Sequence, residues 1–225
     1  TVQVELADAV TAEEITAAAV SDNSISGTSD PFDVEAGPAA SVTVATQPGG
    51  ATAGQSIKGP FGEGQPSAVV RDANGNPVSG VDVTVSETGG YTFDSGTTTV
   101  TTDGSGVATF TDLQINAAAT GYELSFAIDG DDSGVSNDAS VQSQAFEVTP
   151  AAASALAFGQ QPSNTEKGAT ITPAVTVRIE DNFGNLVPSA TDAMGVSLGT
   201  DPTDGSATLS GTLSKSASSG VGTFD

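Results

Sequence analysis

Apolar and polar residues alternate in short runs along the chain, with the period of two that strands with one buried face show. Valine stands at every second position of residues 81–85, where it alternates with Asp82 and Thr84. Residues 11–20 are rich in Ala and Glu, which favour helix, but their match to the strand-like segment 121–128 predicts a strand. Similar runs predict strands over 2–6, 42–44, 68–71, 97–102, 107–115, 122–128, 145–148 and 175–179.

Turn residues separate these runs at intervals of roughly ten residues, and no long helical period interrupts them. Residues 72–76 (DANGN) contain an Asn-Gly pair, which supplies the positive φ angles of a tight turn. Residues 97–102 carry a single large apolar residue, Val100, which indicates a strand at a sheet edge. Many short strands without helices predict an all-β fold of the β-sandwich type.

Two pairs of matching motifs indicate an internal repeat. Residues 106–110 read GVATF and residues 220–224 read GVGTF, while the turn 72–76 is matched by 181–185 (DNFGN). Self-similarity at a fixed period is typical of repeat architectures. The sequence therefore predicts two copies of one repeat.

The repeat divides the chain into a complete copy and two partial ones. Residues 38–150 are predicted to form a complete domain, 151–225 an incomplete domain, and 1–37 the closing strands of such a domain, equivalent to 111–150. The lengths of 151–225 and 1–37 together match that of 38–150. The proposed equivalences pair Val2, Val4, Ile15, Ala17 and Phe32 with Leu113, Ile115, Leu124, Phe126 and Phe146, respectively.

Composition excludes several functions. With 28 acidic and 5 basic residues the net charge is −23, which argues against nucleic acid and anionic membrane surfaces as partners. Cysteine and histidine are both absent, so the common nucleophilic triads and zinc sites cannot form. No apolar run is long enough for a membrane span. We therefore expect neither an enzyme nor a protein inserted in a membrane.

The order of the motifs resembles a known family. In each copy a Gln-Pro pair (Gln47-Pro48, Gln161-Pro162) follows the first strand, an Asp-x-x-Gly-Asn turn follows the next, and Gly-Val-x-Thr-Phe comes later; Phe-x-Val closes the repeat. This order resembles the bacterial immunoglobulin-like repeats of invasin and intimin type surface proteins. The resemblance implies tandem immunoglobulin-like β-sandwiches in an extracellular or cell-surface stalk or fibre. It also implies that any adhesive ligand binds a terminal domain elsewhere.

One loop offers candidate calcium ligands. Asp129, Asp131 and Ser133 alternate before Gly134, as oxygen ligands do at the start of a calcium loop. The twelfth position holds Ser140 instead of the usual Glu, so a solvated acidic loop is the alternative. Apart from this candidate ion, we expect no cofactor.

The divided repeat leads to a functional hypothesis. A domain without its last strands exposes sheet edges and apolar core residues, which favour pairing with another chain. Residues 1–37 of a neighbouring copy would supply these strands head to tail, either between separate subunits or along one long polypeptide. A carbohydrate- or receptor-binding adhesin module is the alternative, with Tyr91, Tyr122 and Phe183 as its candidate aromatics. The predicted assembly interface comprises Val2, Val4, Leu6, Ile15, Phe32, Val34, Val221 and Phe224.

Overall fold

A computed structural model of the protein describes residues 4–130, 134–135, 138–201 and 205–225, and its fold is all-β. A 3-10 turn at Pro60–Gly62 lies between the sixth and seventh strands. The strands are β1 (Val10–Glu13), β2 (Thr16–Ala19), β3 (Asp22–Thr28), β4 (Phe32–Val34), β5 (Ala39–Thr46), β6 (Ala51–Thr52), β7 (Ser67–Asp72), β8 (Asp82–Glu87), β9 (Thr99–Thr101), β10 (Val107–Thr109), β11 (Ala119–Tyr122), β12 (Leu124–Ile128), β13 (Ala139–Gln142), β14 (Phe146–Thr149), β15 (Ala155–Gln160), β16 (Val175–Glu180), β17 (Ala193–Gly195), β18 (Ser214–Ser216) and β19 (Val221–Phe224).

Where the structure describes the chain between Ala39 and Thr149, the strands form three sheets. Their strand orders are β10-β7-β5, β13-β12-β8-β9 and β11-β14-β6. Strand β14 pairs with β6 in parallel, with Val148 beside Ala51. The pairs β10-β7, β7-β5, β13-β12, β12-β8 and β8-β9 are antiparallel. Strand β9 is at the edge of its sheet, which confirms the prediction made from the β-branched stretch around Val100.

Alternation along these strands explains the core. On β8, Val83 and Val85 are buried while their neighbours on the strand are exposed or half-buried. Phe126 on β12 is also buried, and its ring centroid is 5.4 Å from that of Phe110, which follows β10. Burying side chains of this size stabilises a fold by about 1.5–3 kcal/mol each.

Five strands form in the described residues 151–201 and 205–225. Strands β15, β16 and β19 make one antiparallel sheet, and β17 pairs with β18. The pairing of Leu156 with Ile179 on β15 and β16 resembles that of Val42 with Val70 on β5 and β7. The buried cluster here is small and consists of Val177, Ile179, Val187, Ala190, Met194, Ala217 and Phe224.

The repeated GVxTF motif has the same backbone role in both places. Gly106 and Gly220 adopt φ angles of 71° and 76°, in the left-handed region that disfavours other residues. A Cβ atom would lie 2.7 Å from the Val70 carbonyl oxygen at Gly106, and 2.5 Å from the Val187 carbonyl oxygen at Gly220. Each glycine therefore allows a close approach of two backbone segments.

Residues 4–34 form two small antiparallel pairs, β1 with β4 and β2 with β3. Strands within residues 11–20 confirm the choice of strand over helix. Of two other strand predictions, the one over 2–6 was wrong for its described residues and the one over 107–115 was wrong in extent. Residues 4–6 are irregular and Val2 lies outside the described residues, while the strand expected over 107–115 ends at Thr109.

Packing divides the chain into two compact units. Unit 1 contains Thr1–Gly50, Ser56–Gln114 and Thr120–Glu147, and unit 2 contains Ala51–Gln55, Ile115–Ala119 and Val148–Asp225. The large buried side chains Phe110, Phe126 and Tyr122 belong to unit 1.

Candidate assembly site

The turn after β7 holds a hydrogen-bond network that we call the first Asp-Asn cluster (Asp72, Asn76 and the backbone of Ala7, Ala9 and Gly37). The Asp72 carboxylate accepts bonds from the backbone N–H groups of Asn74, Asn76 and Gly37 and from the Asn76 side-chain amide, at 2.8–2.9 Å. The Asn76 amide also donates to the Ala7 carbonyl (2.8 Å), and its oxygen accepts from the Ala9 N–H (2.9 Å). The bonds within residues 72–76 confirm the predicted turn, and the cluster also holds two distant backbone segments.

The turn after β16 holds the second Asp-Asn cluster (Asp181, Asn185 and the backbone of Asn116, Ala118 and Ala151). Asp181 accepts bonds from the N–H groups of Phe183, Asn185 and Ala151 and from the Asn185 amide, at 2.8–2.9 Å. Asn185 donates to the Asn116 carbonyl at 2.7 Å and accepts from the Ala118 N–H at 2.8 Å. Each bond therefore has a counterpart in the first cluster.

The two bonds that each Asn side chain makes to distant backbone groups have the same sequence separations in both clusters. The side-chain amide bond spans 69 residues in both, and the backbone N–H bond spans 67. Ala7 therefore occupies the position of Asn116, which places Val4 at the position of Leu113 and Leu6 at that of Ile115. The alignment drawn from the sequence, with Val2 opposite Leu113, was two residues out of register in this segment, although its match of Ile15 to Leu124 agrees.

The clusters favour ionised aspartates. The hydrogen bond from the Asn76 side chain lowers the pKa of Asp72 to about 2, against the opposing effect of burial and with help from backbone N–H groups. Burial raises the pKa of Asp181, but the bonds from Asn185, Ala151 and Phe183 together outweigh it and hold that pKa below its usual value. Both aspartates are therefore ionised at neutral pH, and each carboxylate accepts several hydrogen bonds.

Exposure distinguishes residues 4–34 from their counterparts between β10 and β14. Val4, Leu6 and Ile15 are 76%, 48% and 48% exposed, whereas Leu113, Ile115 and Leu124 at the corresponding positions are 0%, 1% and 0% exposed. The segment therefore carries apolar residues in positions that are buried elsewhere in the same chain. Of the other predicted interface residues, Phe32 and Val34 are half-buried on β4.

Residues 151–225 provide a corresponding open edge. Strand β17 pairs with β18, and across the described residues 151–201 and 205–225 no further strand pairs with β17; the equivalent β8 lies between β9 and β12. Leu198, just beyond β17, is 47% exposed. The predicted interface residues Val221 and Phe224 lie on β19, where Val221 is half-buried and Phe224 belongs to the buried cluster.

The candidate calcium loop is only partly described. Asp129 is exposed after β12, while Asp131 and Ser133 lie outside the described residues. Elsewhere in the described part of the chain, no three acidic side chains converge as a metal site would require. Calcium binding at Asp129 stays a prediction.

Three aromatic residues are the candidate carbohydrate contacts. Tyr91 is half exposed and makes an edge-to-face contact with buried Tyr122 at 5.0 Å, and Phe183 is 40% exposed in its turn. The most exposed aromatic, Phe61, was missed: its ring is fully exposed at the tip of a Gly-Pro-Phe-Gly loop, with φ 61°. A bulky apolar residue among glycines was the signal in the sequence.

The sequence matches no protein-family model, and no curated protein is significantly similar to it. Among the described residues, no helix has the length and apolar character needed to cross a membrane.

Proposed function

We propose that this protein is a structural repeat unit of an extracellular filament, fibre or surface stalk. In this proposal residues 38–150 form a complete immunoglobulin-like β-sandwich, and 151–225 form an incomplete one. Residues 1–37 of a neighbouring copy complete it, so that contacts propagate head to tail and do not close. The role is mechanical and the protein is not an enzyme.

The match between the two partial segments carries this proposal. Residues 4–34 form the pairs β1-β4 and β2-β3, which correspond to β11-β14 and β12-β13. Residues 151–225 form β15-β16-β19 and β17-β18, which correspond to β5-β7-β10 and β8-β9. One segment thus supplies the strand pairs that the other lacks.

Burial of the exposed apolar residues would drive the assembly. Val4, Leu6 and Ile15 would enter positions that are buried in residues 38–150, and the open edge of β17 would gain backbone hydrogen bonds. Strand addition of this kind depends on backbone hydrogen bonds and on apolar burial. It therefore needs neither His nor Cys, both of which this chain lacks.

The two Asp-Asn clusters would give the array regular junctions. The first holds Ala7 and Ala9, which belong to the completed domain, against the turn of the domain that follows. The second makes the same contacts between the backbone of residues 116–118 and the turn at residues 181–185. Equivalent contacts at successive junctions favour a repetitive fibre.

Removal of the closing segment tests the proposal. The 225-residue chain should form head-to-tail multimers in sedimentation velocity and elongated particles by electron microscopy. A variant lacking residues 1–37 should stay monomeric while its unit 1 tyrosines report a folded core. Equal assembly by both chains, or a full-length chain that stays monomeric at high concentration, would refute it.

A carbohydrate- or receptor-binding module is a second candidate, and the exposed ring of Phe61 is the observation that favours it. Exposed aromatic rings provide apolar faces for ligands. Saturable binding on a glycan array that the variant Phe61→Ala loses would support this role. Binding that is absent, or that Phe61→Ala leaves unchanged, would remove it.

A further inference from the structure

Strand pairing in residues 38–150 provides a template for the register of the proposed contact. Strand β12 pairs with β8 so that Leu124 lies opposite Glu87 and Phe126 opposite Val85. Thr88 donates its N–H to the Glu123 carbonyl, which places Phe126 and Val85 at a non-hydrogen-bonded pair, where side chains are closest.

The β17-β18 pair identifies the corresponding acceptor positions. In residues 82–84 of β8 and in Ala193–Gly195 of β17, only the middle residue is buried, Val83 and Met194 respectively. Each of these segments pairs antiparallel with the next strand in the chain. Met194 thus takes the place of Val83, Val196 that of Val85 and Leu198 that of Glu87. The donor residue Ile15 would lie opposite Leu198, and Ala17 opposite Val196.

On both sides of this contact, the side chains differ in size from their counterparts in residues 38–150. The donor position that holds Phe126 in β12 holds Ala17 in β2, while the acceptor position that holds Val83 holds the longer Met194. The methyl carbon of Met194 reaches within 2.5 Å of where a Cβ of Gly222 would be, beside Phe224. Met194 thus fills space next to Phe224, the counterpart of Phe110, which Phe126 contacts in unit 1.

We propose that the small Ala17 and the large Met194 form a specificity pair that admits residues 4–34 of a second copy to the edge of β17, in the register Ile15 opposite Leu198. This inference rests on the proposed function and adds how the correct donor is chosen. The segment containing Phe126 would overpack against Met194, so each closing segment is directed to its own domain. The pair therefore prevents exchange between the two kinds of domain.

Engineered disulfides test the register, because the chain has no cysteine of its own. The template places Thr16 opposite Ser197, within the Cα separation that a disulfide allows, and both are exposed. The double variant Thr16→Cys, Ser197→Cys should give a non-reducing ladder in multiples of 22.0 kDa. The matched variant Thr16→Cys, Gly195→Cys is two residues out of register and should give little ladder.

Size-swap variants test the specificity pair by sedimentation. Ala17→Phe should weaken assembly by about tenfold or more. Adding Met194→Val should restore most of the affinity, because space is made for the ring. Ala18→Phe is the matched control: Ala18 points to the other face of the strand and its change should leave assembly within about twofold.

The outcomes separate the two proposals. A full-length chain that assembles but gives equal ladders from both cysteine pairs, or that tolerates Ala17→Phe alone, overturns the register and the specificity pair while the filament function stands. A full-length chain that neither assembles nor crosslinks overturns the filament function and this inference with it. A ladder from the in-register pair with rescue by Met194→Val supports both.

Discussion

A chain that carries its own closing segment should have a more stable unit 2. The variant repeats residues 1–37 after Asp225, so that the appended segment can complete residues 151–225 within one molecule. Phe224 and the appended Val4 would be joined by Asp225 and residues 1–3, a link longer than Thr111-Asp112, which joins Phe110 to Leu113. The link is long enough to permit the same path.

The expected gain in unfolding free energy follows from how exposed the apolar side chains of the closing segment are. Val4, Leu6 and Ile15 are 76%, 48% and 48% exposed, and each would become buried like its counterpart in 38–150. Full burial of such side chains contributes about 1.5–3 kcal/mol each, so removing these exposed fractions should add about 2.5–5 kcal/mol to the unfolding free energy. The appended chain should also stay monomeric, because its acceptor edge is filled.

Single residues make the assay specific to each unit. Met194 is the chain's sole methionine and lies in the unit 2 core, so its labelled methyl resonance reports unfolding of unit 2 in urea. Tyr91 and Tyr122 are the sole tyrosines and both belong to unit 1, so tyrosine fluorescence provides the internal control.

A matched variant carries Ile15→Asp in the appended segment only. A carboxylate at a buried position is strongly unfavourable, so this variant should lose most of the added stability. All three chains are compared without their N-terminal residues 1–37, so that no neighbour can complete residues 151–225. Equal Met194 midpoints for the appended chain, the Ile15→Asp control and the chain with no appended segment would refute the reasoning.

Three further predictions concern single side chains. Asn185→Ala should lower the unfolding free energy of unit 2 by about 1–3 kcal/mol, with a similar loss in unit 1 for Asn76→Ala, since each amide joins an Asp-Asn cluster; urea titration of the Met194 and tyrosine signals measures both. The pKa of Asp72 is depressed to about 2 from 3.8, so its ionised form stabilises the fold above about pH 4 and that contribution is lost as the pH falls toward 2; acid titrations should show this slope, and Asp72→Asn should remove it. Phe126→Ala should cost unit 1 about 3–5 kcal/mol by tyrosine fluorescence, because the ring is fully buried, and a loss below 1 kcal/mol would contradict the packing described for it.

Local patterns in the sequence were enough to predict most strands and turns. Alternation at residues 81–85 predicted β8, and the Asn-Gly pair within 72–76 predicted the turn after β7. These features depend on neighbours in the chain, so their physical cause is visible in a short window. The edge position of β9 followed from its single large apolar residue, Val100.

Register and long-range contacts were harder to predict. A shift of two residues keeps every side chain on the same face of an alternating segment, so Val2 and Val4 fitted Leu113 and Ile115 as well as Val4 and Leu6 do. Only the bonds from Asn76 and Asn185 to distant backbone groups fix the alignment.

Two other features depend on three-dimensional context. The turn chemistry of Asp72 explains its bonds to residues 74 and 76, but nothing local predicts that it also binds the N–H of Gly37. The exposure of Phe61 depends on the path of its loop, and the proposed fit between the small Ala17 and the large Met194 comes only from a comparison between the two repeats.

Titration of the incomplete domain with its closing segment tests the central claim most directly. The chain lacking residues 1–37, labelled at the Met194 methyl group, would be titrated with a peptide of residues 4–37. We predict a saturable shift of the Met194 resonance at one peptide per chain, with a weaker response to the same peptide carrying Ala17→Phe. A Met194 resonance that stays unchanged at saturating peptide would contradict the completion of residues 151–225 by the closing strands of another copy.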